Sequence, residues 1–594
     1  MKSRFRIGII VAALLVAVSA TAAVDSAAEF LARVQQMVDR GEVTADEALL
    51  LKFQYCFDRE KLPTELQPTW LAPMKCATPL IQEFEAVRGG MAPEMAAMIE
   101  GYLAEPQDGS RVIYDSPSGR FHITYQVAGG DAVPLADGNS NGVPDYVENI
   151  GAYLDYCLDY ECTTLGFQSP PFQISYPYMN INILALSGVY GFTSIVTNPP
   201  GMTRITLDND YAGFPPNDDP DGDALGAAKV TCAHEFKHSS QYAGSRWTEG
   251  AWGEVDATWM EDIAYPLTND YVNYIQIGSP ITAPTTSLDL LSGGGYESAV
   301  WEHYQSQTHG IQFVVDLWTW RKTHTGQAML DSYEQIFTDY GSSIRTAWNE
   351  FSMWNFATGA RTVLDSGYED ALEYPAGSAQ RTPNTYPHTY SASVAHLAAN
   401  FIRCLNVSAV NKRMQVTFNG ADAAQLTLAA VVNYSYVTHV GEFYTIPLNA
   451  TNDVVYTIPY DLNGVYSIGL IVGNGAKSGA VQSFNVTIEL VDFDPSAVGD
   501  AVPAFAIAGN HPNPFNPTTS IEFALTSTGR TTLDVFDLAG RQVRTLVDAT
   551  MVAGRHTVMW DGQDEAGRSL PSGTYIARLA SGDHVASHKL VLAK

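Results

Sequence analysis

The chain has 594 residues, 46% of them apolar, and a formal net charge of −31. That length exceeds what one hydrophobic core fills, so about three or four domains are expected. The acidic excess argues against nucleic acid or anionic lipid as a partner, because both need clustered Lys and Arg, and it suits sites built from oxygen ligands.

The first residues, "MKSRFRIGIIVAALLVAVSATAA", combine a basic start, an apolar run from Ile7 to Val18 and small residues at Ala20 and Ala22. This is the pattern of a secretory signal peptide over residues 1–23, since the run is shorter than the ~20 residues a bilayer span needs. No later segment is long and apolar enough to span, so the mature chain is expected to carry no transmembrane segment and to be secreted or held at the cell surface. From 24 to 109, apolar residues at helix spacing in "AAEFLARVQQMVDR" and "EMAAMIEGYLA" predict a helical region, either a propeptide or an ordinary subdomain. Cys56, Cys76, Cys157, Cys162, Cys232 and Cys404 are scattered and lack CxxC spacing, so they are expected to lie outside the chemistry, with Cys56 and Cys76 a candidate disulfide.

Residues 110–380 read as an α+β domain, with strands such as "FHITYQV" and "NINILAL" followed by helices. Near its start, "DGNSNGVPDYVE" has the twelve-residue pattern of a calcium loop. Asp137, Asn139 and Asn141 supply side-chain oxygens, Val143 its carbonyl, Asp145 a contact through water and Glu148 a bidentate carboxylate. One loop without a partner hand points to structural Ca2+ rather than sensing. Further on, "ITLDNDYAG" reads as an edge strand able to hold an extended peptide.

The stretch "TCAHEFKHSSQYAGSRWTEGAWGEVDATWMEDIAY" contains HExxH. Helix geometry puts His234 and His238 on one face with Glu235 at its flank, an arrangement in which the imidazoles bind Zn2+ while the glutamate acts as general base in amide hydrolysis. A glycine and a histidine at the spacing of the longer metzincin motif are missing, since Gln241 and Gly244 stand there. A second helix, "AWGEVDATWMEDIAY", brings Glu254, Thr258 and Glu261 onto one face, so a glutamate from it is expected as third ligand.

"HEFKHSSQY" followed by "WGEVDATWMED" resembles a family of secreted bacterial metallopeptidases with an ExxATWxED box, over roughly Arg120 to Phe356. Its ExxA core also resembles the box that supplies the third zinc ligand in gluzincins. The resemblance implies a zincin-like fold, a protein or peptide substrate, Glu254 as that ligand and a downstream tyrosine, here Tyr296, at the oxyanion. Lys237 departs from the family, which carries an aromatic or apolar residue there, and "DPDGD" lengthens the segment before the helix.

Two all-β sandwich domains are expected beyond the Pro-punctuated linker. The first, at 388–497, contains "LTLAAVVN" and "VYSIGLIV". The second, at 508–594, contains "HPNPFNPTTSIEFAL" and "WDGQDEAGRSLPSGTYIARL", and resembles the Ig-like domain of flagellar hook-capping proteins and the sorting domains of type IX-secreted proteins. That resemblance implies outer-membrane secretion machinery as a partner. The competing expectation for the whole chain is a non-enzymatic surface or adhesion protein with a structural or degenerate metal site.

Overall fold

The computed structural model describes residues 27–592 apart from 68–72, 105–109, 174, 187, 197–198, 292–293, 365, 423, 438, 460–461, 493–504, 512–514, 526–528, 538–539, 552–553 and 583. The signal-peptide segment lies outside the described residues. Two compact units divide the chain at Asp492.

The first unit begins with a helical layer of α1 (Ala27–Asp39), α2 (Ala45–Phe57), α3 (Thr78–Val87) and α4 (Pro93–Leu103). A capping box starts α2: Thr44 Oγ1 accepts from Glu47 N at 3.2 Å, and Glu47 Oε2 accepts from Thr44 N at 2.8 Å. Prolines sit in the first turns of α3 and α4, where a missing N–H costs nothing. The apolar stripes of these helices, including Phe30, Val34, Phe53, Leu80, Phe84 and Ile99, close on a core that also takes in Leu186, Val189 and Phe192. The helical layer is therefore not packed as an independent body.

Six strands form the central sheet: β1 (Met74–Cys76), β2 (Val112–Asp115), β3 (Phe121–Tyr125), β4 (Met179–Leu184), β5 (Val189–Ile195) and β6 (Thr203–Asp208), in the order β1-β5-β6-β4-β3-β2. Strands β3, β4 and β6 are parallel, β5 is antiparallel to β6, and β1 pairs in parallel with β5. The segment "ITLDNDYAG" holds the C-terminal part of β6, which is flanked by β5 and β4, so it is not an edge strand; beyond β5 the edge is β1. Helices α5 (Asp145–Cys157) and α6 (Asp223–Ser245) cover the sheet. Alanines at 227, 228 and 233 of α6 pack among Phe121, Ile181, Ile183, Ile205 and Leu207.

The helices after α6 are α7 (Trp252–Ala264), α8 (Val300–His309), α9 (Ile311–Arg321), α10 (Met329–Asp339) and α11 (Ile344–Phe356), which share an aromatic-rich core around Trp259, Trp301 and Phe351. A sandwich follows, with strands β7 (His388–Val394), β8 (Ala398–Cys404), β9 (Lys412–Gly420), β10 (Leu426–Ser435), β11 (Val440–Ile446), β12 (Asp453–Thr457), β13 (Ser467–Asn474) and β14 (Gln482–Asp492). Its two antiparallel sheets have the orders β11-β10-β13-β8 and β12-β9-β14-β7.

The second unit is also a sandwich, with strands β15 (Ala506–His511), β16 (Thr519–Leu525), β17 (Gly529–Asp537), β18 (Gln542–Met551), β19 (Gly554–Trp560), β20 (Gly573–Ser581) and β21 (His584–Leu592). Sheets β15-β16-β19 and β18-β17-β20-β21 enclose Phe515, Phe523, Leu533, Trp560 and Leu579.

Candidate metal centre

Close approach of α6 to β5 depends on Gly191. A Cβ there would lie 2.8 Å from Thr231 Cγ2 and 3.2 Å from Glu235 Cγ. On the buried helix so placed, His234 and His238 stand one turn apart. After Ser245 the chain reverses through Arg246 and Trp247, both at positive φ, and Trp247 Nε1 donates to His238 O at 2.8 Å. The reversal delivers Glu254 in the first turn of α7.

The three groups converge. His234 Nε2 is 3.1 Å from His238 Nε2 and 3.1 Å from Glu254 Oε2, and His238 Nε2 is 3.0 Å from Glu254 Oε1. Their orientation is fixed from behind. His234 Nδ1 donates to Glu261 Oε1 at 2.7 Å, and His238 Nδ1 donates to Gln241 Oε1 at 2.9 Å. The Gln241 amide is oriented in turn, because its Nε2 donates to Gly253 O at 2.9 Å and Asp256 Oδ2 at 2.7 Å. With each neutral ring carrying its hydrogen on Nδ1, two Nε2 lone pairs and a carboxylate face one another in a buried space. Only a cation or a shared proton relieves that repulsion. Ligand atoms bonded to a tetrahedral zinc at about 2.0–2.1 Å lie roughly 3.3 Å apart, so this donor set fits Zn2+ with a small outward adjustment.

The charges agree. Burial alone would lower the His234 pKa, but hydrogen bonds and charges from Glu254 and Glu261 outweigh it and lift the ring to about 10. For Glu254, burial acts upward and is overcome by the two histidines, which hold the carboxyl at about 2.

Glu235 is fully buried beside this cluster. Its Oε2 accepts from Thr193 Oγ1 at 2.7 Å and Thr78 Oγ1 at 3.3 Å, while Oε1 is buried with no hydrogen-bond partner. The Tyr296 ring centroid is 6.2 Å from that of His234, and its hydroxyl donates to Cys76 O at 2.9 Å. Glu249 points elsewhere, to Arg321 Nε at 2.9 Å and Ser245 Oγ at 2.6 Å.

The cysteines depart most from expectation. All six are free, so Cys56 and Cys76 form no disulfide; Cys56 Sγ instead lies 3.4 Å from Met74 Sδ. Cys76 is not outside the chemistry. Among the described residues, the ligand atoms of Cys76, His234, His238 and Glu254 all lie within 4.8 Å of one another. Thr78 N donates to Cys76 Sγ at 3.2 Å. Burial, with the charges of Glu235 and Glu254, pushes the metal-free thiol well above its usual range. Next to it, the buried Lys75 ammonium bonds Asp270 and lies 2.9 Å from Glu261 Oε2.

The residues of the expected calcium loop come together around the start of α5. Asp137 accepts from Asn141 N at 3.2 Å and Gly142 N at 2.9 Å, and Asp145 accepts from Gly138 N at 3.0 Å. The amides of Asn139 and Asn141 donate to Glu148 at 2.9 and 2.7 Å, and Val143 N donates to Asn141 Oδ1 at 2.8 Å. The Nδ2 face of both asparagines is thus turned to Glu148. Lys237, the departure noted on α6, is buried with its ammonium 3.5 Å from Asp256 Oδ2 and over the Phe167 ring. No helix among the described residues is long and apolar enough to cross a membrane.

Residues 511–583 match the family model of the FlgD Ig-like domain. The C-terminal unit is Ig-like. Nothing matches among curated proteins. Among solved structures, PorZ, a surface component of the type-IX secretion system of Porphyromonas gingivalis, is 15% identical over 26% of this chain and 20% of its own, at a TM-score of 0.13. The Endo-D glycoside hydrolase domain of Streptococcus pneumoniae is 10% identical over 34% of this chain and 33% of its own, also at 0.13. The Epf adhesin domain of Streptococcus pyogenes is 8% identical over 36% of this chain and 75% of its own, at 0.11. The chain thus spans a fifth of the first of these proteins and a third of the second.

Proposed function

We propose that the region around α6 and α7 is a zincin-like, zinc-dependent peptidase of gluzincin type, acting outside the cell. The observation that carries the reading is the convergence of His234 Nε2, His238 Nε2 and Glu254 within 3.1 Å, beside a buried Glu235 whose Oε1 has no partner. A zinc ion held there supplies Lewis acidity, lowering the pKa of water and polarising a peptide carbonyl. Glu235 Oε1 takes the proton of the attacking water and hands it to the leaving amine. Thr193 keeps the other carboxylate oxygen fixed at 2.7 Å. Tyr296, whose hydroxyl already donates to a main-chain carbonyl at 2.9 Å, holds the oxyanion.

The basic and apolar start of the chain and the Ig-like C-terminal domain support export, with secretion machinery of the outer membrane as partner. The loop of Asp137 to Glu148 is assigned a structural Ca2+, which it takes up by turning the asparagine oxygens inward. Metal analysis, together with chelator-sensitive digestion of an unstructured protein, tests the whole reading: a chain that binds no zinc or digests nothing with zinc bound and its site open refutes it.

A second reading is favoured by Cys76. Its thiol gives the cluster a fourth donor, and four closed ligands characterise structural zinc. The peptidase reading is preferred because Glu235 keeps a second carboxylate oxygen, Oε1, buried beside the cluster with no hydrogen-bond partner, which a purely structural site does not call for.

A further inference from the structure

We propose that residues 74–78 are a built-in inhibitor of the peptidase site, with the Cys76 thiolate filling the fourth coordination position and the helical layer at 27–104 keeping the secreted enzyme latent. The inference rests on the zinc peptidase reading and extends it.

Each element of the site is engaged by this short segment. Cys76 Sγ joins the ligand atoms of His234, His238 and Glu254. The Cys76 carbonyl accepts the hydrogen bond of Tyr296 at 2.9 Å, in the manner of a substrate carbonyl. Thr78 Oγ1 lies 3.3 Å from Glu235 Oε2, on the base. Lys75 is buried between Glu261, which orients His234, and Asp270. The main chain is held too. Met74 N donates to Gly188 O at 2.9 Å and Ala77 N to Gly191 O at 3.2 Å, so β1 occupies the side of β5 that would otherwise be free to add a strand.

That placement identifies the ligand class being excluded. An extended peptide bound by main-chain hydrogen bonds to β5 would need the space of β1. The segment blocks both the reacting centre and the peptide track. Zinc binding replaces the Cys76 thiol proton, which leaves to solvent. Packing adds to the hold: Gly188 lies so near Cys56 O and Tyr55 O that a Cβ would sit 2.4 and 2.5 Å from them, and the Phe57 and Phe192 rings meet edge to face at 5.4 Å.

The test uses the full chain loaded with Co2+ in place of zinc, in wild type, Cys76→Ala and the sandwich control Cys404→Ala. Wild type and C404A should show a near-ultraviolet thiolate-to-cobalt charge-transfer band that C76A lacks, and only C76A should change its visible spectrum when acetohydroxamate is added. With zinc, C76A, whose β1 is held to β5 by main-chain bonds alone and can be displaced by a competing strand, should digest unfolded casein at least tenfold faster than wild type. Cys76→Ser gives the same comparison if C76A does not fold. Identical near-ultraviolet spectra in wild type and C76A overturn the inference and leave the zinc reading standing, as does a wild-type chain that digests as fast as C76A. A C76A chain that binds cobalt and acetohydroxamate but digests no faster than wild type overturns latency through the thiolate while retaining Cys76 as ligand.

Discussion

Replacing Glu235 by Gln tests the base assignment with little disturbance to the fold. Glu235 Oε2 accepts from Thr193 Oγ1 at 2.7 Å and Thr78 Oγ1 at 3.3 Å, and a glutamine oxygen can accept both. Exchanging a charged for a neutral acceptor costs about 1 kcal/mol of stability. Zinc stoichiometry should stay the same, because the ligand atoms belong to other residues. Turnover should not survive. A positioned general base is worth about 10²- to 10⁴-fold, roughly 3–5 kcal/mol of barrier at about 1.4 kcal/mol per tenfold. The amide has no lone pair basic enough to accept the proton, and its NH2 group occupies the place of Oε1. The assay is digestion of an unfolded protein by the zinc-loaded C76A and C76A/E235Q chains, with zinc content measured on the same samples. Equal rates would refute the base assignment. Loss of zinc in the glutamine variant would show instead that Glu235 is a ligand.

Glu261→Ala should keep zinc bound but weaken it by about 10- to 100-fold, because the 2.7 Å bond that orients His234 is lost, whereas Glu254→Ala should weaken it further and abolish turnover; competition with a chelating dye measures both. Zinc affinity should rise with pH throughout the accessible range, since the metal displaces the proton held by His234, whose ring is lifted to about 10, and that of the Cys76 thiol, which burial pushes well above its usual range. Metal-free protein should show the converse linkage: a folded pKa of about 10 against 6.5 unfolded gives stability that is complete below 6.5 and lost as pH rises toward 10, read by urea unfolding across that range. Calcium should raise the melting temperature of wild type but not of the Asp137→Ala, Glu148→Ala double variant, and equal shifts would remove the loop assignment. A chain ending before Gly509 should retain the unfolding transition of the first unit and its zinc, because the second unit is a separate compact body, yet should no longer reach the cell exterior of its host; unchanged delivery would refute a sorting role.

The parts of the site that were legible in sequence are those set by helical period. His234 and His238 share a face of α6, and Glu254 shares one with Glu261 on α7, because spacing alone determines direction on a helix. Cys76 carries no such signal. It reaches the cluster only because β1 pairs with β5, and no local pattern records which distant strand a three-residue strand will join. The same limitation misplaced the sheet edge: β5 and β6 are both short, and their order is a property of the sheet. Period-two alternation also fails in β10 and β13, which are buried along nearly their whole length. Their outer face is covered by α11, whose Met353 and Phe356 pack with Phe401, Val431 and Ile471. The C-terminal strands do alternate, as in β20, and that domain was the easier to read.

The division of labour between Glu254 and Glu261 follows from the size of an imidazole. Seven residues along a helix correspond to roughly 10 Å, so the two carboxylates cannot reach one ion together. A single ring can nevertheless touch both, because its two nitrogens point in opposite directions and each carboxylate leans inward from its own turn. His234 does this, with Glu254 Oε2 3.1 Å from Nε2 and Glu261 Oε1 2.7 Å from Nδ1. Which glutamate faces the metal is then decided by His238. Its Nε2 lies 3.0 Å from Glu254 and 3.1 Å from His234 Nε2, so the side of His234 shared by both histidines is the side of Glu254. Glu261 is left behind the ring, where Lys75 at 2.9 Å balances its charge. The same ammonium also bonds Asp270, so Lys75 keeps two buried carboxylates from facing each other without a counter-ion, and displacing the segment would leave one of them to take up a proton.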